Sequence, residues 1–172
     1  MDVRAVFGIN VLLSLISAGI AAKLFVWHRL QGMDRSSALI PLVVPHMFLR
    51  FIGLSFLIPG VVSPSLPASF AVPAAYGDLA AGILAIVATI ALVSKASFAT
   101  AAVWLFNVWG ATDFLLGFYW AARAQVLPGA FGAAYFIVTA VVPVLLVMHV
   151  LIFALQVSPV RSFSLNSQRQ RA

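Results

Sequence analysis

Apolar residues run along this chain in long, nearly unbroken stretches separated by short polar intervals. Such continuity predicts helices, because a half-buried strand would alternate apolar with polar positions and a membrane barrel would need many such segments. Five stretches are long enough to cross a hydrocarbon layer of about 30 Å, which takes roughly 20 helical residues. They fall near residues 5–27, 38–58, 73–94, 98–121 and 131–156. The pattern predicts an all-α, polytopic integral membrane protein: a five-transmembrane-helix bundle forming one domain over 1–156, with a flexible basic tail over 157–172.

The intervals between spans are of two kinds. Residues 28–37, "HRLQGMDRSS", read as a polar turn, whereas 59–72, "PGVVSPSLPASFAV", are uncharged and rich in proline and read as a stiff connector or a lid over the bundle. The first span ends in "SAGIAAK", small residues that a signal peptidase accepts. The flanking charge has the wrong sense for a signal peptide, since Asp2 and Arg4 cancel in front while Lys23, Arg29 and Arg35 follow, so the span is expected to be kept.

Composition adds class and orientation. Of 172 residues, 63% are hydrophobic and 8% charged, far from the quarter charged of a soluble domain. The net charge of +6 is no nucleic-acid signature, because the basic residues gather at span ends. Lys23, Arg29, Arg35, Lys95, Arg161, Arg169 and Arg171 fall on one side and only Arg4 and Arg123 on the other. By the positive-inside rule the N-terminus lies outside and the C-terminus inside. The expected setting is a plasma membrane of bacterial type, with the tail arginines near anionic lipid headgroups and a homo-oligomer or larger membrane complex as an open partner question. With no cysteine, disulfides and thiolate chemistry are excluded, and no metal site is expected.

Against this background, strongly polar and ionisable residues inside the spans stand out. His46 and Arg50 lie in the second, Asp78 in the third, Asn107 and Asp113 in the fourth, His149 in the fifth, and Asn10 in the first. Such groups are costly in lipid and are expected to face the bundle interior as a ligand or proton site. Helical spacing agrees: His46, Arg50 and Gly53 share a face, as do Asn107, Gly110, Phe114 and Gly117 with Asp113 at the edge. So do Asp78, Gly82 and Ala85, and in the fifth span Thr139, Val142, Leu146, His149 and Gln156. At 1.5 Å per residue, His46, Asn107 and His149 lie about 10–13 Å from the inner side, whereas Arg50 and Asp113 lie about 12 Å, and Asp78 and Asn10 about 8 Å, from the outer side. Two layers are expected, with Arg50 meeting Asp113 and Asp78 in the outer one.

Three functional readings fit these residues. In the first, the polar core of His46, Arg50, Asp78, Asn107, Asp113 and His149 binds a small ligand or handles protons. In the second it is packing glue in a structural or accessory subunit. In the third, His46 and His149 are axial ligands of a b-type haem, with Gly53 and Gly110 leaving room for the porphyrin and Arg50 meeting a propionate. That topology resembles the five-helix cytochrome b subunit of respiratory nitrate reductase, whose second and fifth helices supply the ligands. That family has two histidines on each of those helices, and this chain has one. The size and span number also resemble the translocator-protein class of porphyrin and sterol binders, without its tryptophan and proline patterns. No hydrolase, zinc-protease or phosphate-loop motif is present, so an enzyme is the less favoured class.

Overall fold

The computed structural model describes residues 2–158, and over that range the chain is built of helices. Five are long and apolar enough to cross a membrane: α1 (Val3–Gln31), α2 (Arg35–Leu57), α3 (Ala68–Val93), α4 (Ala99–Arg123) and α5 (Ile137–Val157). A helix of this kind stands at each of the five expected places, its ends displaced from the expected bounds by up to six residues. The tail, with its expected headgroup contacts, lies outside the described residues beyond Ser158.

Local chemistry sets the ends. Asp2 and Asp34 occupy the N-cap positions of α1 and α2, and Asp34 Oδ2 accepts the backbone N–H of Ser37 at 2.9 Å. That bond lowers the pKa of the Asp34 carboxyl below its ordinary 3.8. Helix α1 runs on through a π-helical turn at Ala22–Val26, where the cleavage motif had been weighed, to Gln31. Pro41 and Pro45 lie within α2, which tightens to a 3-10 helix after Arg50, at Phe51–Leu57. In α5 the turn at Ile137–Val141 widens to π geometry just ahead of Pro143. Such widening accommodates a residue that has no N–H and whose ring crowds the carbonyl four residues back.

Fusion of the fifth span with its approach, expected from residue 131, does not occur. Residues Pro128–Ala134 form a separate 3-10 segment, and Gly132 has φ +54 and ψ −130, which a side chain would not accept. This segment is tied to the proline-rich connector: Ser63 N donates to Ala130 O at 3.0 Å and Ala133 N donates to Val61 O at 2.8 Å. The connector is thus fastened across the end of the bundle, and its last residues, from Ala68, belong to α3.

Packing makes a closed ring of four helices: α2 against α3, α3 against α4, α4 against α5, and α5 back against α2. Helix α1 stands outside the ring and packs on α5. Its Asn10 therefore lies outside the ring, contrary to expectation. Asn10 is exposed and donates from Nδ2 to the Tyr135 hydroxyl at 2.7 Å. Within the ring two apolar clusters are stacked along the axis. One, toward the face carrying the C-terminus (the C face), holds Leu39, Leu42, Val43, Phe106 and Ile152. The other, toward the face carrying the N-terminus (the N face), holds Phe56, Phe70, Phe131 and Val138. The polar residues lie between them.

Candidate functional site

The site is organised by Arg50, whose side chain is fully buried at the centre of the ring. Its Nη1 donates to Asp78 Oδ1 on α3 at 2.6 Å and to Asp113 Oδ2 on α4 at 2.8 Å. Its Nη2 donates to the Gly110 carbonyl on α4 at 2.7 Å and meets His149 Nε2 on α5 at 2.9 Å. The guanidinium also stacks over Phe114, with Cζ 3.5 Å from the ring centre. One side chain thus joins all four helices of the ring.

An arginine only donates, so His149 Nε2 accepts and its proton sits on Nδ1. Nδ1 then donates to Asn107 Oδ1 at 2.6 Å, and Asn107 Nδ2 donates to the His149 carbonyl at 3.3 Å. His46, one turn before Arg50, stacks beside this chain with its ring centre 4.4 Å from that of His149 and 5.0 Å from Phe106. Neither of its ring nitrogens has a hydrogen-bond partner among the described residues.

All six expected residues therefore converge, but not as two layers. The reach of the arginine side chain connects the depth of His149 and Asn107 to that of Asp113 and Asp78, giving one continuous network. Glycine makes the convergence possible. A methyl at Gly110 would lie 2.6 Å from His149 Cε1 and 2.9 Å from Arg50 Nη2. One at Gly53 would collide with Asp78 Oδ2, and one at Gly77 with Asp113 Oδ1. The spaces at Gly53 and Gly110, expected to leave room for a porphyrin, are filled by the protein's own polar side chains.

The haem reading finds no support in this geometry. Axial ligation needs a free nitrogen on each ring aimed at a shared iron with the macrocycle between them. Both nitrogens of His149 are engaged, the two rings are in contact, and Arg50 meets carboxylates where a propionate had been expected.

The carboxylates open onto a space that sequence reasoning missed. A cavity of about 290 Å³ lies on the N-face side of Arg50, lined by Phe7, Phe56, Phe70, Phe114, Phe131 and Val138 with Asp78 and Asp113 as its only acidic groups. Arg4 lies at its rim. The side chain of Asp113 is 15% exposed and that of Asp78 9%. Each gives one oxygen to Arg50, and among the described residues Asp78 Oδ2 and Asp113 Oδ1 accept no hydrogen bond. Formally, one cation faces two carboxylates. The aromatic lining was visible in the sequence only as scattered phenylalanines, which in membrane helices usually face lipid; the hint that could have separated them is their concentration near the N-face ends of several spans.

The chain belongs to the family described as Domain of unknown function (DUF8737). The match covers residues 6–157, which takes in the five long helices apart from the first three residues of α1, and every residue of the network. No curated protein and no solved structure matches the chain.

Proposed function

We propose that this chain is a membrane-embedded binding protein whose cavity takes one small, mainly apolar molecule carrying a basic nitrogen. The observation that carries the reading is the cavity floor, where Asp78 and Asp113 each keep an oxygen that Arg50 leaves unbonded. An apolar enclosure with a few convergent polar groups is the usual form of a small-molecule site, and a volume near the bottom of the roughly 300–1,000 Å³ range fits a small ligand. At the floor, away from Arg4 at the rim, two carboxylates face the single guanidinium of Arg50, which favours a cation over an anion there. The spread of Lys and Arg along the chain supports an outward N face, in a plasma membrane of bacterial type.

Binding is favoured over a relay that crosses the membrane. On the C-face side of His149 and His46 the ring is closed by Leu39, Leu42, Val43, Phe106 and Ile152, all buried, so among the described residues the polar network opens only away from the C face, at Asp78 and Asp113. A second reading, a structural subunit held by polar contacts, draws support from the way Arg50 braces four helices.

The two readings part on Asp113→Asn. Arg50 keeps Asp78 as a one-to-one partner in this variant, so the fold is retained. Binding of octylamine, octanol and octanoate to the purified protein in lipid nanodiscs is measured by calorimetry. The binding reading expects the amine to be preferred, and the variant to lose about tenfold or more of its affinity for it, the worth of a charge-assisted hydrogen bond. Equal binding of all three probes by the native protein would leave the structural reading.

A further inference from the structure

A second cavity, of about 280 Å³, lies on the outer surface of the ring between α3 and α4. On α4 its wall is the stripe Trp109, Asp113, Leu116, Gly117 and Trp120, and on α3 it is Phe70, Pro73, Ala74, Tyr76 and Gly77. Trp109, Trp120, Leu116 and Tyr76 are all exposed, so this is a groove facing the surroundings of the bundle, which in a membrane are lipid. Trp109 is held at its edge by a long hydrogen bond from Nε1 to the Gly77 carbonyl, at 3.4 Å.

The groove and the interior cavity share Phe70, Ala74, Asp113 and Gly117. These four residues form the partition, in which Asp113 is the one charged group, and Gly117 beside it adds no side chain; a methyl placed there would meet nothing within 4 Å. Along the stripe, Trp109 to Trp120 is about 16 Å of helix, long enough to lie beside much of one lipid leaflet. Aromatic faces around a carboxylate are the chemistry that holds an ammonium group.

We propose that the ligand comes from the bilayer itself: a single-chain cationic amphiphile whose nitrogen seats at Asp113 between Trp109 and Trp120, and which passes from the groove into the cavity beside Gly117. This rests on the binding reading above and adds the ligand's class and its route. Charge decides the occupant, since the one charged residue lining the groove is Asp113, a member of a carboxylate pair that outnumbers its arginine. A neutral lipid offers Asp113 a hydrogen bond without the ion pair, and an anionic one would be repelled.

The test uses the full chain in phosphatidylcholine nanodiscs with 11-bromoundecylamine and 11-bromoundecanol at equal membrane mole fractions. Bromine quenches nearby tryptophan, and Trp109→Phe and Trp120→Phe variants separate these two from Trp27 and Trp104. The amine is expected to quench Trp109 and Trp120 at least threefold more than the alcohol, with the difference absent in Asp113→Asn. Gly117→Leu, which fills open space, is expected to keep that quenching while slowing octylamine binding to the interior at least fivefold. Equal quenching by amine and alcohol, while octylamine still binds preferentially in calorimetry, overturns the lateral route and leaves the cavity reading standing. Equal quenching together with no amine preference in calorimetry overturns both. Unchanged binding kinetics in Gly117→Leu likewise overturns the passage beside Gly117.

Discussion

Replacing Arg50 with methionine keeps most of the side-chain volume and removes the cation from the centre of the ring. Four short contacts disappear together: to Asp78 at 2.6 Å, Asp113 at 2.8 Å, the Gly110 carbonyl at 2.7 Å and His149 Nε2 at 2.9 Å. Two carboxylates then face each other without a counter-charge. Removing one partner of a buried ion pair destabilises by about 3–5 kcal/mol, mainly because the remaining charge is stranded. Asp113 opens to the cavity and can be hydrated there, which places the expected loss toward the lower end, about 3 kcal/mol. The triple variant Arg50→Met, Asp78→Asn, Asp113→Asn removes the stranded charges and is expected to recover more than half of that loss, since neutral replacements of a whole buried cluster are often tolerated. Reversible unfolding by dodecyl sulfate in mixed micelles, followed by circular dichroism, reads both values. A single variant within about 0.5 kcal/mol of the native protein, or a triple variant no more stable than the single, would refute the reasoning that Arg50 neutralises both acids in the interior.

Other substitutions probe separate parts of the structure. Gly110→Ala drives a methyl against the His149 ring and Arg50 Nη2, and is expected to lower stability by about 1–3 kcal/mol in the same unfolding assay, whereas Gly117→Ala, which meets open space, is expected to be near neutral. Gly132→Ala forces a side chain into φ +54 and against the Val61 carbonyl, and should raise susceptibility to proteolysis near 58–63 and 128–134, read by limited digestion and mass spectrometry. Asp34→Ala removes the cap of α2 and lowers the thermal midpoint at neutral pH. Because the folded pKa of Asp34 is depressed, its contribution is present above the ordinary value of 3.8 and is lost as pH falls through the lower folded value, so native and variant midpoints should converge in acid.

Much of this architecture could be read from the chain because lipid imposes one rule on every span, a continuous apolar run of known length. The same rule made the site residues visible, since His46, Arg50, Asp78, Asn107, Asp113 and His149 interrupt runs where polarity is expensive. Asn10 interrupts a run too, yet it faces Tyr135 outside the ring. Polarity alone does not say which partner a residue finds. Depth arithmetic separated Arg50 from His149, since it counts Cα positions and ignores the length of an arginine side chain. Gly77 was missed because its role is to be small where Asp113 crosses from the neighbouring helix, a property of the helix pair rather than of either sequence. The cavity was invisible for a related reason: it is the space left between aromatic side chains of the first four helices and of the 128–134 segment, closed by Val138 and Val142 of the fifth.

Everything rests on Arg50 lying within bonding distance of both acids inside the ring. Magic-angle-spinning NMR of lipid-embedded protein labelled with ¹⁵N-arginine and ¹³C-aspartate measures this directly, with Asp78→Asn and Asp113→Asn assigning the carboxyl signals. Strong guanidinium-to-carboxyl dephasing is predicted for both Asp78 and Asp113, at separations under about 4 Å, and it should vanish in Arg50→Met. Absence of dephasing at either carboxyl in the native protein would contradict the account.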